Sequence, residues 1–307
     1  MNSLGGVLPP AAGSSRAQPR TRLLAVSRSD ALAALLMVAF MLIGGYFRYV
    51  GINWDDFTHL HPDERFLTDV AQGLGRNLNP SGGELERQQQ ISTCIERYPD
   101  SGGMGPYFDA YCSTLNPHNA NAGHGMYVYG TLPLFAARGS AEILVSVSEW
   151  VAHSILAPLT GEARWAEYVG ASWRQYDGVH LVWRFLSAAS EMGVIVAAFL
   201  IGRKLHGRWV GILAAGIYTG TVFSIQLAHF GTTDAMSNLF AALSILAAVY
   251  VQREGRLRDY LFFGVVFGAA IASRINLAFL VGLLGLATIV QLLPILDRHL
   301  APGVCER

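Results

Sequence analysis

Residues 182–221 read VWRFLSAASEMGVIVAAFLIGRKLHGRWVGILAAGIYTGT, which is two long apolar runs joined by one basic turn. The apolar segments that contain these runs extend from Val179 to Gly202 and from Trp209 to Gln226. Each is long enough for a helix to cross, or nearly cross, the hydrocarbon core of a bilayer. The whole chain is 52% hydrophobic and only 14% charged, whereas soluble domains carry about 25% charged residues. The stretch therefore predicts a membrane protein built from α-helices.

Four further apolar segments continue this pattern. They are Ala31–Val50, Ala235–Val251, Tyr260–Ser273 and Leu277–Leu296. The first of them ends on Tyr46, Phe47 and Arg48 instead of the small-residue cleavage site of a signal peptide, which favours an uncleaved span. We expect an all-α membrane protein, folded as a multi-span helical bundle with a long outer loop that carries interfacial helices.

Basic residues are distributed unevenly between the connections. A run of arginines between residues 16 and 28 precedes the first span, and the turns 203–208 and 253–258 are also basic. Positive residues stay on the cytoplasmic side of a membrane, so we expect the N-terminus inside and residues 51–178 outside. Counting the spans from an inside N-terminus brings two further connections to the outer face. One contains His229 and Asp234, and the other contains Arg274.

The apolar region divides the chain into three parts. We expect residues 1–29 to be a disordered cytoplasmic tail, residues 30–296 a transmembrane module, and residues 297–307 a C-terminal tail. Within the outer loop, Tyr127–Leu156 is apolar but contains three charged residues. This composition predicts an amphipathic helix at the membrane surface, and a span buried within protein is the alternative.

Two of the three cysteines, Cys94 and Cys112, lie in the outer loop. They form a disulfide if the loop faces an oxidising compartment. Two free thiols are the alternative, and the cysteines show no CxxC or Cys/His metal spacing.

The outer loop begins with an acidic pair in the sequence His61-Pro62-Asp63-Glu64. Carboxylates beside a membrane are costly and indicate function. Proline and acids are also favoured in the first turn of a helix, so capping is the structural alternative. On a helix that starts at Pro62, the Asp63 and Glu64 side chains point about 100° apart. The two acids are therefore expected to have different surroundings.

Five segments together resemble the membrane-embedded GT-C glycosyltransferases that use polyprenyl-phosphate sugars, such as protein O-mannosyltransferases and aminoarabinose transferases. These segments are HPDERFLTDVAQGL (61–74), YGTLPLFAARG (129–139), residues 182–221 quoted above, FSIQLAHFGTTDAMSNLFAALSILA (223–247) and GVVFGAAIASRINLAFLVGLL (264–284). The resemblance covers about Ala31 to Leu296. Members of the family continue with further spans, so we expect this chain to be a C-terminally truncated member.

The resemblance implies transfer of a sugar from a polyprenyl-phosphate donor to an acceptor, which is a protein, a lipid or a glycan, at the outer face of a bacterial cell membrane. It implies that Asp63 is the general base of a single, inverting displacement, with Glu64 beside it in the catalytic pair. A leaving phosphate needs positive charge, for which Arg274 is the first candidate and Arg184 the second. Candidate substrate-binding residues are Asp234, His229 and His61.

Several alternatives stay open at this point. Asp55 and Asp56 are rival bases, and a divalent metal is possible on the outer-loop side chains His59, His61, Asp63, His118 and His124, although no metal site is assigned. A transporter or flippase of a lipid-linked substrate is the second functional hypothesis, and an inactive fragment or scaffold is the third. The formal net charge of zero argues against nucleic acid as a partner.

Overall fold

A computed structural model describes residues 28–75, 83–120, 127–160 and 172–300. These residues form helices and connecting turns, with no β-strand among them. The helices are α1 (Arg28–Tyr49), α2 (Pro62–Gly73), α3 (Glu84–Arg97), α4 (Pro117–Ala120), α5 (Thr131–Val151), α6 (Ala157–Thr160), α7 (Tyr176–His206), α8 (Arg208–Thr219), α9 (Val222–Ala228), α10 (Asp234–Glu254), α11 (Leu257–Ser273) and α12 (Val281–Leu300). Short 3-10 turns occupy Pro99–Ser101 and Ile275–Leu280, and a π-turn occupies Ala152–Leu156. The predicted all-α membrane fold is confirmed.

The helix α7 is the centre of the bundle. It has 31 residues and packs against α1, α2, α5, α8, α9 and α10. The N-terminal half of α7 carries buried side chains on several faces, including Trp183, Arg184 and Glu191. A helix that is buried on several sides sets the relative positions of the elements around it, so α7 connects α2 and α5 to the other long helices.

Within the residues that the structure describes, four helical segments are long and apolar enough to cross a membrane, namely residues 28–49, 176–206, 234–254 and 275–293. The predicted span Trp209–Gln226 is not one continuous helix, because α8 and α9 are separated by a short break and bent by 62°. The predicted span Tyr260–Ser273 corresponds to α11, which has 17 residues. At 1.5 Å per residue this helix is about 25 Å long, less than the roughly 30 Å of a hydrocarbon core.

The helix α5 has one buried face, formed by Leu134, Ala137, Ala141 and Val145 at helical spacing. This face joins α2 and α7 in one apolar core that includes Trp183. The charged residues of the segment lie at its polar side, where Arg138 donates hydrogen bonds to the last carbonyls of α2 and pairs with Glu142. The predicted amphipathic character is therefore present.

A disulfide joins Cys94 to Cys112. The pair is fully buried against Ile91 and Tyr98, so the predicted disulfide is confirmed over the alternative of two free thiols. The predicted tail 1–29 lies outside the described residues except for residues 28 and 29. Residues 301–307 of the predicted C-terminal tail and the predicted metal ligand His124 also lie outside them.

Candidate functional site

The acidic pair begins α2 as the sequence predicts. His61 is the N-cap and its Nδ1 accepts a hydrogen bond from the Glu64 backbone N–H, while Pro62 occupies the first helical turn. Asp63 is exposed, whereas Glu64 is fully buried. The angular separation of neighbouring residues on a helix produces this difference, and it assigns the two carboxylates to different environments.

The buried carboxylate belongs to an ion-pair cluster that we name the Arg184 cluster: Asp55, Glu64 and Arg184. The Arg184 guanidinium donates to both Glu64 oxygens at 2.7 Å and to both Asp55 oxygens at 2.9 Å. The backbone N–H of Gly231 adds a hydrogen bond to Glu64 Oε1 at 2.5 Å. A Cβ at Gly231 would lie 2.9 Å from that oxygen, so this close approach requires glycine.

The Arg184 cluster keeps both of its acids ionised. Burial raises the pKa of the Glu64 carboxyl, but the hydrogen bonds and charge of Arg184, together with the nearby His180, outweigh this effect and hold that pKa at about 2. Burial acts in the same direction at Asp55, and hydrogen bonding and charge from Arg184 hold its pKa at about 2 as well. Ionised, paired groups of this kind fix the position of α2 on α7.

Asp55, Glu64 and His180 present metal-ligating atoms within 4.8 Å of one another. His180 is fully buried, its Nε2 lies 3.4 Å from Glu64 Oε1, and neither of its ring nitrogens has a hydrogen-bond partner in the described part of the chain. The guanidinium of Arg184 already neutralises the two carboxylates, so a divalent ion at this place requires Arg184 to leave. Asp55, Glu64 and His180 therefore do not fit a metal ion.

The outer-loop histidines of the predicted metal set have separate partners. His59 Nε2 lies 2.8 Å from Asp177, and the His61 ring packs on Phe230. The described members of this set therefore do not converge on one point.

Exposed Asp63 has Tyr129 as its neighbour. Burial raises the pKa of the Tyr129 hydroxyl, and the nearby carboxylate of Asp63 raises that pKa further. The charges of Arg274 and Asp234 act on the same hydroxyl. Tyr129 thus lies between the start of α2 and the junction of α10 with α11.

Close backbone contact fixes Tyr129 in this place. The next residue, Gly130, packs on the last carbonyls of α11, where a Cβ would lie 2.3 Å from Ala272 O and 2.2 Å from Ser273 O. Arg274 follows immediately, in an extended conformation, and its guanidinium pairs with Asp234, 40 residues earlier. Two of the predicted site residues, Asp234 and Arg274, are therefore paired, and Tyr129 lies near both of them and near Asp63.

The remaining predicted site residues have contacts within the protein. Arg184 is fully buried between its two carboxylates. The ring of His229 lies 2.8 Å from the Ile225 carbonyl through Nδ1 and 3.0 Å from the Val50 carbonyl through Nε2. Through these two contacts His229 joins α9 to the end of α1.

A second buried polar network lies at the break between α8 and α9, and sequence reasoning did not find it. The fully buried Arg48 donates to the last carbonyls of α8, Tyr218 O and Thr219 O, and to Ser224 Oγ at 2.7 Å. Ser224 and the Tyr218 hydroxyl each donate to Glu191 at 2.7 Å. The carbonyls left free by the helix end are thus satisfied by a side chain.

A cavity of about 510 Å³ lies between α5 and α7, lined by apolar residues that include Leu144, Trp173 and Phe185. None of Asp63, Asp234 and Arg274 lines this cavity. It is therefore separate from the cluster of charged residues described above.

Residues 177–298 match the family model of dolichyl-phosphate-mannose-protein mannosyltransferases. The matched segment begins at the second residue of α7 and ends within α12, so it contains Arg184, His229, Asp234 and Arg274 but neither Asp63 nor Tyr129. No curated protein and no solved structure matches the chain. The match agrees with the predicted resemblance and with a membrane glycosyltransferase.

Tyr129 is the residue of this site that the sequence analysis did not single out. It stands in the quoted segment YGTLPLFAARG, but an aromatic residue before a glycine has no specific functional pattern. Its position follows only from the packing of Gly130 on α11.

Proposed function

We propose that this chain is a glycosyltransferase that takes a sugar from a polyprenyl-phosphate donor, with Asp63 as general base. The observation that carries the proposal is the position of Asp63. It is exposed at the start of α2 and lies near Tyr129, which is also near Arg274 and Asp234. Arg274 and Asp234 belong to the segment that matches the mannosyltransferase family model. An acid, a hydroxyl and a cation from three distant parts of the chain thus meet at one place.

In the proposed reaction, the Asp63 carboxylate accepts the proton of the acceptor's hydroxyl or amine as that atom attacks the anomeric carbon. The bond between this carbon and the phosphate oxygen breaks, and its electron pair leaves with the lipid phosphate. Arg274 stabilises the charge that develops on the phosphate. Attack opposite to the leaving group, in one displacement, inverts the anomeric carbon.

In this proposal Glu64 and Arg184 hold α2 in place and do not touch the donor. Arg184 uses its donors on two carboxylates and the Ile52 carbonyl, so Arg274 is the cation left for the phosphate among the two predicted ones. His61 and Phe230 form the edge of the site beside Asp63.

We place the site at the outer face of the membrane, with the N-terminus inside. The basic turns 203–208 and 253–258 support this orientation. The Cys94–Cys112 disulfide in the outer loop supports it as well, because disulfides persist in oxidising compartments.

The test is sugar release from a panel of radiolabelled polyprenyl-phosphate sugars by the purified full chain. Asp63→Asn should abolish transfer and hydrolysis, and Asp100→Asn, the same change at an exposed acid of the outer loop, should leave them unchanged. Equal turnover in the wild type and Asp63→Asn would exclude Asp63 as the base. No turnover with any donor by folded protein would count against the transferase assignment.

A transporter of lipid-linked substrates is the second candidate, favoured by the broken span α8–α9 and the buried acid beside it. Transporters use such breaks to bind ions at free backbone carbonyls. In this chain Arg48 donates hydrogen bonds to the carbonyls at the break, which favours a structural role for the break. Flipping of a labelled lipid-linked sugar in proteoliposomes that survives Asp63→Asn would support the transporter.

A further inference from the structure

The ion pairs of the two candidate phosphate-binding arginines, Arg184 and Arg274, differ in exposure. The side chains of Arg184, Asp55 and Glu64 are 0% exposed, whereas Arg274 and Asp234 are 43% and 32% exposed. Partly exposed pairs are worth about 0–1 kcal/mol, so an incoming anion can replace one partner. A fully buried pair is not exchangeable in this way.

Asp234 occupies a place that suits an anion. It is the first residue of α10, a helix of 21 residues whose N-cap Thr233 makes no side-chain capping bond. The N–H groups of such a helix start attract negative charge. The hydroxyls of Thr232 and Thr233 beside it are buried, and in the part of the chain that the structure describes they have no hydrogen-bond partner. These two hydroxyls directly precede Asp234, the acid that pairs with Arg274.

The charges around Tyr129 do not by themselves favour a phosphate. Asp63 and Asp234 are acids and Arg274 is a cation, so the three together have a net negative charge. A lipid phosphate that enters this group needs the guanidinium that Asp234 holds.

We propose that Asp234 is a latch on Arg274: its carboxylate holds the guanidinium where the donor phosphate binds, and the phosphate binds by taking the guanidinium over. This inference rests on the proposed function and adds a competing role for Asp234. After the exchange, the N-terminus of α10 still stabilises the Asp234 carboxylate. The latch keeps Arg274 paired while no donor is bound.

The latch predicts a gain of affinity on removal of an acid. Asp234→Asn should tighten the binding of a short-chain polyprenyl phosphate without sugar about two- to fivefold, the factor that corresponds to an exposed ion pair. Asp234→Ser removes the same carboxylate with a residue suited to a helix start and should do likewise. Asp234→Glu should bind like the wild type, Arg274→Gln should lose binding, and the charge-matched control Asp100→Asn should not change it.

Binding is measured by titrating purified full-length variants in detergent and following the change in melting temperature, with sugar release measured on the same samples. Weaker or unchanged binding in both Asp234→Asn and Asp234→Ser overturns the latch. Binding of lipid phosphate that tightens as expected, without sugar release from any donor, counts against the transferase but supports the latch. A folded wild type that does not bind lipid phosphate overturns both.

Discussion

Glu64→Gln and Asp63→Asn should separate stability from activity at two adjacent carboxylates. Glu64 is fully buried and receives hydrogen bonds from Arg184 and Gly231, and its pKa falls from 4.5 to about 2. Removal of one partner of a buried ion pair destabilises a protein by roughly 3–5 kcal/mol. Asp63 is exposed, and surface substitutions change stability by about 0.5 kcal/mol or less.

The assay is thermal unfolding in detergent beside sugar release. With an unfolding entropy of about 2.1 cal/mol/K per residue, a loss of about 3 kcal/mol lowers the melting temperature of a 307-residue chain by roughly 5 °C, so Glu64→Gln should melt clearly below the wild type. Asp63→Asn should melt within about 2 °C of it and lose transfer by about a hundredfold or more, the usual contribution of a general base. Arg184→Gln should be at least as destabilising as Glu64→Gln, because it leaves two buried carboxylates without their cation.

One result would refute this division of roles. If Glu64→Gln melts with the wild type and loses transfer as Asp63→Asn does, Glu64 acts on the substrate and the Arg184 cluster is not a structural support. If Asp63→Asn unfolds as readily as Glu64→Gln, the exposed acid stabilises α2 and its assignment as base loses its support.

Three further predictions concern the surroundings of the site. Gly130→Ala should reduce sugar transfer at least tenfold, because its Cβ would meet the Ala272 and Ser273 carbonyls. The control Gly139→Ala, on the open side of α5, should keep activity and stability. Equal activity of the two variants would contradict the close contact at Gly130. Cys94→Ser should destabilise the outer segment by about 3 kcal/mol, measured as protease sensitivity of residues 83–120. Rapid thiol labelling of Cys94 or Cys112, as opposed to Cys305, in the native, unreduced wild type would contradict the disulfide. Because the acids of the Arg184 cluster have depressed pKa values, the stability they provide is present above about pH 4 and is lost as the pH falls towards about 2. Melting temperatures at pH 7, 4 and 3 measure this loss. A melting temperature at pH 3 that equals the value at pH 7 would contradict the prediction.

The sequence was sufficient for features that depend on local pattern. Apolar runs predicted the spans, Pro62 predicted the start of α2, and the position of two cysteines in one polar loop predicted their disulfide as one alternative. The assignment of Asp63 and Glu64 to different faces followed from helix geometry alone. The topology count also predicted that Asp234 and Arg274 lie at one level, and the structure pairs them.

Features that depend on tertiary contact were out of reach. The bonds of Arg184 join it to residues 120 and 129 positions earlier, and nothing in the local sequence indicates which acid meets which base. The break between α8 and α9 was read as a continuous span because its sequence stays apolar, while the side chain that satisfies the broken carbonyls belongs to Arg48 in another helix. Tyr129 was missed because its role depends on what Gly130 touches.

The comparison of Arg184 with Arg274 shows why a charged residue near a membrane does not by itself indicate a ligand site. Both interrupt apolar sequence, and both were predicted to meet a phosphate. Arg184 has two carboxylates and no exposed surface, so its charge is already balanced in a place that a lipid headgroup does not reach. Arg274 has one carboxylate and a side chain that is 43% exposed, so its partner is open to competition. Burial and the number of partners, and not the presence of a cation, decide which arginine remains available for a ligand, and on both counts that residue is Arg274.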